Sequence, residues 1–523
     1  MMDEQIIERG AGDSESLETK KDTTTHPDLP VVDRKVRVSC TGGAGSWAVA
    51  LGTAAVGLSA TVALFLPLQR EAIGAAACVL MLTLIFLKMP VAIAMIIPSL
   101  LGMRALRGDS LVAAALRDVP YASVASWTLS VVPMFILMGL LLWRAGLTAS
   151  VYEAGRQWLS WLPGGLAVGT NVAGAGLASV SGSSVGTTYA LARIGIPEML
   201  RAGYHKRIAI GSVMTAGLPG QLIPPSILLV IYAGIAEVPV GPQLLAGIGP
   251  GIVVALIFSV MFVVLIALRP GLARQDPARV RLEEPQLLNP PTWSSRFQSL
   301  VAVWPVPLIV AVIAWGIFSG TFTATEAGAL AALLALIITI IWRFRDGPLE
   351  AVTAATMDSI SSIGAIFFTL LGVDLLSRML SLSGISTALV EAVEGFGLSR
   401  VEFLLAMTVV YLVLGTFLEA LPMMVLTVPA LIPTLDALDI SLVWFGVFVV
   451  FMGEIAVLSP PVGMLAFVIH NISQEPEVNL GHKITLNDIF MSLVWFLPIA
   501  VAFVIIMIFF PGLATFIPDW ITP

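Results

Sequence analysis

The stretch from Ser181 to Ser226, SGSSVGTTYALARIGIPEMLRAGYHKRIAIGSVMTAGLPGQLIPPS, sets small hydroxyl residues, glycines and a double proline in a chain greasy enough to be membrane helix. A helix broken there leaves backbone N–H and C=O groups without partners. In hydrocarbon each such group is costly, so irregular backbone persists only where it lines a cavity or binds something. Freed carbonyls and hydroxyl oxygens at such a break suit an ion and a solute. A Pro/Gly kink with Ser and Thr hydroxyls bonded back to their own helix has the same local sequence. The pattern, however, occurs twice: Gly415-Thr416-Phe417-Leu418-Glu419 and Ser459-Pro460-Pro461-Val462-Gly463 replay it downstream, with Glu454 close by. An acid inside a membrane segment marks function by default. A carboxylate that caps helix-end N–H groups is the structural alternative for Glu419 and Glu454.

The elements that hold these residues must be membrane helices. The 523 residues are 57% hydrophobic and only 12% charged, with mean hydropathy +0.95, which describes a polytopic α-helical membrane protein. The net charge of −7 carries little information, because nine acidic residues against six basic ones lie in the first 45 positions; nucleic-acid binding is not implied. Cys40 and Cys78 make neither a disulfide framework nor a metal site. The four histidines are scattered, and Ser179-Val180-Ser181-Gly182 lacks the leading glycine of an intramembrane serine-protease motif, so an enzyme is not expected. No GxxxxGK[ST] phosphate loop occurs, so ATP is not expected either.

Residues 1–45 read as a disordered cytoplasmic tail, and 46–70 as an extra N-terminal transmembrane helix. Eleven full spans are expected (47–67, 75–87, 91–106, 127–143, 208–236, 243–268, 299–318, 325–342, 351–377, 443–471 and 485–511). Lys88-Met89-Pro90 is the critical break, since one tilted helix over 75–106 would change the count. Residues 109–126 suit the interface or packing on the protein. Residues 147–161 fit an interfacial helix or a partly exposed connector equally well. Two hairpins, near 164–200 and 400–436, have arms too short to cross about 30 Å of hydrocarbon comfortably, so they read as re-entrant. Basic loops at Arg201–Arg207, Arg269–Arg296 and Arg343–Arg345 fall on one side by span count. The positive-inside bias makes that side, and Met1, cytoplasmic, with Pro523 outside. The Pro-rich loop 269–298 is the linker between a first half (71–268) and a second half (299–523).

The halves repeat. Gly146 answers Gly384 at an offset of 238, while Pro197 answers Pro433 and Pro224-Pro225 answers Pro460-Pro461 at 236. With one extra span between them, the hairpins enter from opposite faces. The fold class expected is an all-α, inverted-repeat secondary transporter with two re-entrant hairpins and discontinuous helices. A channel, or a scaffold subunit whose hairpins only pack, is the competing class.

The same residues resemble the DctM-type large membrane subunit of the TRAP (tripartite ATP-independent periplasmic) transporters across roughly 75–515. The resemblance rests on SGSSVGTT (181–188), IPEMLRAGY (196–204), LIPPS (222–226), GTF with a following acid (415–419), LTVPALIP (426–433), WFGV (444–447) and GEIAVLSPPVGMLAFV (453–468). It implies a sodium-driven elevator-type importer of organic acids in the bacterial inner membrane. The implied partners are a small four-helix membrane subunit and a periplasmic solute-binding protein, and sodium is the coupling ion with no other cofactor. A stand-alone ion-coupled anion carrier of similar hairpin architecture is the alternative. The sequence departs from the family pattern in having Glu419 where Asp is common, Ser459 where Thr is frequent, and a tail and helix before residue 70 without counterpart.

Sodium is a hard cation and takes oxygen ligands. The expected ion ligands are Ser183, Ser184, Thr187, Thr215 and Gly217 in the first repeat and Gly415, Thr416, Glu419 and Ser459 in the second. Ser181, Gly182, Pro224, Pro225, Pro460, Pro461 and Gly463 are the expected substrate positions. Helix N-termini at the hairpin tips suit a carboxylate. Arg193 is the nearest cationic residue.

Overall fold

Helices follow one another almost without interruption in the computed structural model, which describes residues 44–273, 292–416, 418–459 and 463–521. The tail up to residue 43, most of the linker, Phe417, Pro460, Pro461 and Pro523 lie outside the described residues. No strand occurs among the described residues. Leu51–Pro523 forms one unit and Met1–Ala50 another.

The chain forms α1 (Ala44–Leu64), α2 (Arg70–Phe86) and α3 (Val91–Arg107). Lys88 turns the chain in the left-handed region at φ 63°. A Cβ on Gly102 would lie 3.5 Å from that of Ala77, whereas the same residues on one straight helix would be about 37 Å apart. So α2 and α3 run antiparallel, and 75–106 is two passes rather than one tilted helix. Next come α4 (Asp109–Val124), a short turn, and α5 (Val131–Arg144), bent by 50° across that turn. The helix α6 (Leu147–Leu159) follows.

The first hairpin is α7 (Gly165–Ser181) and α8 (Ser184–Arg201). Each arm is about 26 Å long, short of the hydrocarbon thickness. On α6, Gly155 abuts Gly169 near the start of α7, its Cβ position lying 2.7 Å from the Gly169 carbonyl oxygen. Its neighbour Arg156 pairs with Glu198 near the end of α8 at 3.2 Å. The start of α7 and the end of α8 therefore share one end, and the hairpin returns to its own side. The broken span after it is α9 (Lys206–Ala216), a short 3-10 turn at Pro219–Gln221, and α10 (Ile227–Ile235). The Pro224–Pro225 peptide in the break is cis. The helix α11 (Val240–Leu268) leads to the linker.

Residues 293–298, expected to be linker, already form the first turns of α12 (Trp293–Val303), because Thr292 caps it by accepting the Ser295 N–H at 3.2 Å. The expected span 299–318 is the bent pair α12 and α13 (Pro305–Phe318), broken at Pro305. Then follow α14 (Ala324–Trp342), α15 (Pro348–Ser383) and α16 (Ile385–Gly395). The long α15 is held to α5 by Arg144 Nη2 and Asp358 Oδ2 at 2.5 Å, and to α4 by a Ser123–Asp374 hydrogen bond.

The second hairpin is α17 (Arg400–Gly415) and α18 (Ala420–Ala437). The Tyr411 and Thr427 hydroxyls meet at 2.7 Å across it. Its broken span is α19 (Leu442–Leu458) and α20 (Met464–Ile472). Short α21 (Pro476–Asn479), α22 (Leu486–Leu493), α23 (Leu497–Phe509) and α24 (Gly512–Ile521) close the fold.

Side-chain contacts give the relative direction of the hairpins. Arg400, at the base of the second, lies over the Trp444 ring at the start of α19. Beyond α20, Glu475 pairs with Arg193 midway along α8 at 2.6 Å, and Asp488 pairs with Lys206, just past the base of the first hairpin, at 2.7 Å. The broken span α19–α20 thus runs from one base to the other, and the hairpins open to opposite ends. In the basic turn at the first base, burial and then Arg207 and Lys206 push the His205 imidazole below its ordinary value, against the pull of Asp488. A neutral ring leaves Nδ1 free to accept the Arg207 N–H at 3.3 Å, which caps α9.

Among the described residues five helices are long and apolar enough to cross a bilayer alone, or seven if each bent pair counts as one span. The expectation of eleven counted apolar stretches; α2 and α3 have only 17 residues each, Gly52–Leu64 is shorter still, 208–236 and 443–471 are each two half-helices around the expected break, and the hairpin arm Ala420–Ala437 is long enough to be counted.

Candidate functional site

At the first tip, α7 ends on Gly182 in the left-handed region at φ 63°. A Cβ there would collide with Ile227 at 2.3 Å. Ser183 is the N-cap of α8, its Oγ accepting the Gly186 N–H at 3.1 Å. That hydroxyl therefore already stabilises the helix, by about 1 kcal/mol for such caps. The Ser181 and Thr187 hydroxyls meet at 3.0 Å. Ser184 is buried.

The tip leans on the break behind it. A Cβ on Gly217 would lie 3.3 Å from the Ser184 Cα, and one on Gly220 2.8 Å from the Ser179 nitrogen. The buried Gln221 amide, turned so that its oxygen faces the tip, accepts from the Ser183 and Ser184 N–H groups at 3.1 and 2.9 Å. The opposite orientation would set donor against donor. Gln221 is absent from the expected site residues; one amide in a short turn forms no spacing pattern, and its only signal is a polar side chain beside the double proline.

The second tip repeats this packing in register. Gly453 lies 236 positions after Gly217 and Ala420 the same distance after Ser184; a Cβ on Gly453 would lie 2.8 Å from the Ala420 Cα. Gly415 and Ala456 match Ser179 and Gly220 by the same offset, and a Cβ on Gly415 would lie 1.9 Å from that of Ala456. Thr416 donates to Val413 O at 2.7 Å and Ser459 to Ile455 O at 3.0 Å. Thr215 in the first repeat donates to Gly211 O at 2.9 Å. These three hydroxyls bond back to their own helices and keep only lone pairs for a ligand. Glu419 is the N-cap residue of α18 but makes no capping bond, so the cap alternative does not describe it.

A cavity of about 490 Å³ lies against the first tip. Ser181, Gly182, Ser183 and Thr187 line it from the hairpin, Gly139 and Trp143 from α5, Ser362 from α15, and Glu419 from the second tip. Hydroxyls from the first repeat and a carboxyl from the second thus face one space, and Glu419 is its only ionisable lining residue among the described residues. The cavity also reaches Leu147 and Thr148 at the start of α6. Pro224, Pro225 and Gly463 are buried and do not line it; Pro460 and Pro461 lie outside the described residues. Arg193 does not line it either. Its guanidinium pairs with Glu475 at 2.6 Å and lies over the Tyr189 ring, so it braces the hairpin instead of clamping a solute. Among the described residues no three His, Cys, Asp or Glu side chains come together as a metal cluster.

The chain is similar to known proteins. The family profile of the DctM component of the tripartite ATP-independent periplasmic transporters matches residues 78–513. The C4-dicarboxylate TRAP transporter large permease protein DctM of Pseudomonas aeruginosa is 31% identical over 397 residues, 76% of this chain and 87% of that one. The ectoine TRAP transporter large permease protein TeaC of Halomonas elongata is 28% identical over 84% of this chain and 97% of its own. The sialic acid TRAP transporter large permease protein SiaM of Vibrio cholerae is 27% identical over 68% and 79%. The crystal structure of the YdaH transporter of Alcanivorax borkumensis matches with a TM-score of 0.56 at 15% identity, over 79% of this chain and 89% of that one, a likeness of fold. Because the matched stretch takes in both hairpins and both breaks, the chain belongs to the DctM-type large permease subunits of the tripartite ATP-independent periplasmic transporters, which are multi-pass membrane transporters and not enzymes.

Proposed function

We propose that this chain imports an organic acid across the bacterial inner membrane by sodium symport, as the large subunit of a complex with a small four-helix membrane subunit and a periplasmic solute-binding protein. The observation that carries the reading is the single cavity faced by the hydroxyls of the first tip and the carboxyl of the second. Sodium takes oxygens from Ser184, Thr187 and the freed backbone near Gly217, with Glu419 across the cavity. Among the described residues a substrate carboxylate has no cationic side chain to meet there, so it is held by hydroxyls and the N–H groups of helix N-termini. Relatives named for C4-dicarboxylate and sialic acid support an acid as cargo. The hairpins and broken spans move as one body past α5 and α15, in the manner of an elevator.

Uptake in proteoliposomes tests this. With partner subunits and binding protein present, uptake saturates and requires an inward sodium gradient; without the binding protein it falls to background. Uptake that ignores the sodium gradient would defeat the coupling, and robust uptake by the chain alone would identify a stand-alone carrier. Ser184→Ala should weaken the apparent sodium affinity without loss of assembly. Ser183→Ala should cost stability as well, through the cap. If Ser184→Ala leaves the sodium dependence unchanged, the first tip is not the ion site.

Orientation has its own test. In a background lacking Cys40 and Cys78, a single cysteine near residue 520 should react with an impermeant reagent in intact cells, and one near residue 280 should not. Labelling near 280 would reverse the assigned orientation.

A further inference from the structure

We propose that Glu454 is the anionic ligand of the cation at the first hairpin tip, so that the second repeat completes the ion site of the first; this rests on the sodium reading above. Glu454 projects from α19, is 2% exposed, and leaves Oε2 without any partner. The Ser184 side chain neighbours its carboxyl across the boundary between the repeats, and the Glu419 carboxyl is within electrostatic range. No Lys, Arg or His among the described residues balances it. A buried acid with an idle oxygen and only a hydroxyl beside it lacks a positive counterpart, and a cation at the tip supplies it.

The structural alternative, a carboxylate capping the start of α8, is already filled. The Ser183 and Ser184 N–H groups go to Gln221, and the Gly186 N–H goes to the Ser183 hydroxyl. Nor does the repeat need an acid for packing at this point. The residue 236 positions earlier is Leu218, buried in the first break, so the same turn accommodates an apolar side chain in the other half. Thr188, one helical turn beyond Ser184 on the same face of α8, is also buried with an idle hydroxyl oxygen, and places a further oxygen along that face. A hard cation selects such a set: a carboxylate oxygen, a hydroxyl and backbone carbonyls from the break.

The test is direct sodium titration of the purified complex, without substrate, for wild type, Ser184→Ala, Glu454→Gln, Glu454→Asp and the Ser184→Ala/Glu454→Gln pair. Glu454→Gln should raise the sodium Kd about tenfold or more, at least the loss seen when a ligand's supporting partner is removed. The double variant should be weaker than either single one by less than the product of their effects, because both act on one ion. If Ser184→Ala weakens binding while Glu454→Gln leaves it unchanged, the inference fails and the sodium assignment of the tip stands. If neither changes it, the sodium assignment fails as well. Effects that multiply fully would place the two residues at separate sites and overturn the inference. Should Glu454→Gln fail to assemble, Glu454→Asp, charged but one methylene shorter, decides: a weakened Kd supports ligation, and a wild-type Kd overturns it.

Discussion

Replacing Gly415 with leucine should abolish uptake and lower the unfolding midpoint, and replacing Gly220 with leucine should do the same from the other half of the chain. At Gly415 a Cβ would sit 1.9 Å from the Cβ of Ala456 and 2.8 Å from its Cα; at Gly220 it would sit 2.4 Å from the Ala175 carbonyl oxygen. In each case main chain stands in the way, so a rotamer change cannot relieve the clash. Forced overpacking of this kind costs about 1–3 kcal/mol, and more where backbone must move. Gly395→Leu is the control, since nothing lies within 4 Å of a Cβ there. The repeat also predicts a rescue. In the first half the hairpin arm carries the side chain (Ser179) and the break carries the glycine (Gly220); in the second the roles are reversed (Gly415 and Ala456). Gly415→Ala should therefore be destabilised alone and recover on addition of Ala456→Gly, which rewrites the second contact in the arrangement of the first. A thermal series read by size-exclusion chromatography separates these outcomes, and a wild-type midpoint for Gly415→Leu would deny the close approach of hairpin and break.

The register of this packing was legible in sequence because it is written in residues that the backbone constrains. Gly203 at φ 78° and Asp439 at φ 51° occupy the same left-handed turn 236 positions apart. Each is followed by the same closing bond, Tyr204 N–H to Met199 O at 2.9 Å and Ile440 N–H to Leu435 O at 2.8 Å. A count of glycines alone misses the second turn, since Asp also tolerates that conformation. Hydroxyl direction was not legible. Ser and Thr choose between a carbonyl one turn back and whatever lies outside the helix, and no spacing reports the choice: Thr416 and Ser459 turn inward while Ser181 and Thr187 face the cavity. Partners distant in sequence were equally hidden. Arg193 reads as a free cation until Glu475, 282 positions away, is folded against it. Gln221 meets the tip through the same kind of closure, and so does the role proposed for Glu454.

Glu419 is the one ionisable group lining the cavity among the described residues, and on the proposed reading it gives a second large effect: without sodium, the wild-type complex should bind an anionic substrate about a hundredfold more weakly than with sodium. Two like charges about 6 Å apart at an effective dielectric of about 20 repel by roughly 3 kcal/mol, which is about two decades of affinity. On the proposed reading, sodium bound beside Glu419 removes that repulsion, so the ion enters before the acid and charge balance contributes to the coupling. Glu419→Gln takes away the repelling charge together with an ion-facing oxygen. Its substrate affinity without sodium should rise toward the sodium-bound wild-type value, and its sodium stimulation should fall to a few-fold, which predicts tight but poorly coupled binding and little concentrative uptake. Glu419→Asp keeps the charge but withdraws it by one methylene, and should retain the sodium requirement with a weaker sodium affinity. Titrating substrate into the purified complex at zero and saturating sodium measures all three. A Glu419→Gln complex that keeps the full sodium stimulation would show that the coupling charge lies elsewhere in the protein.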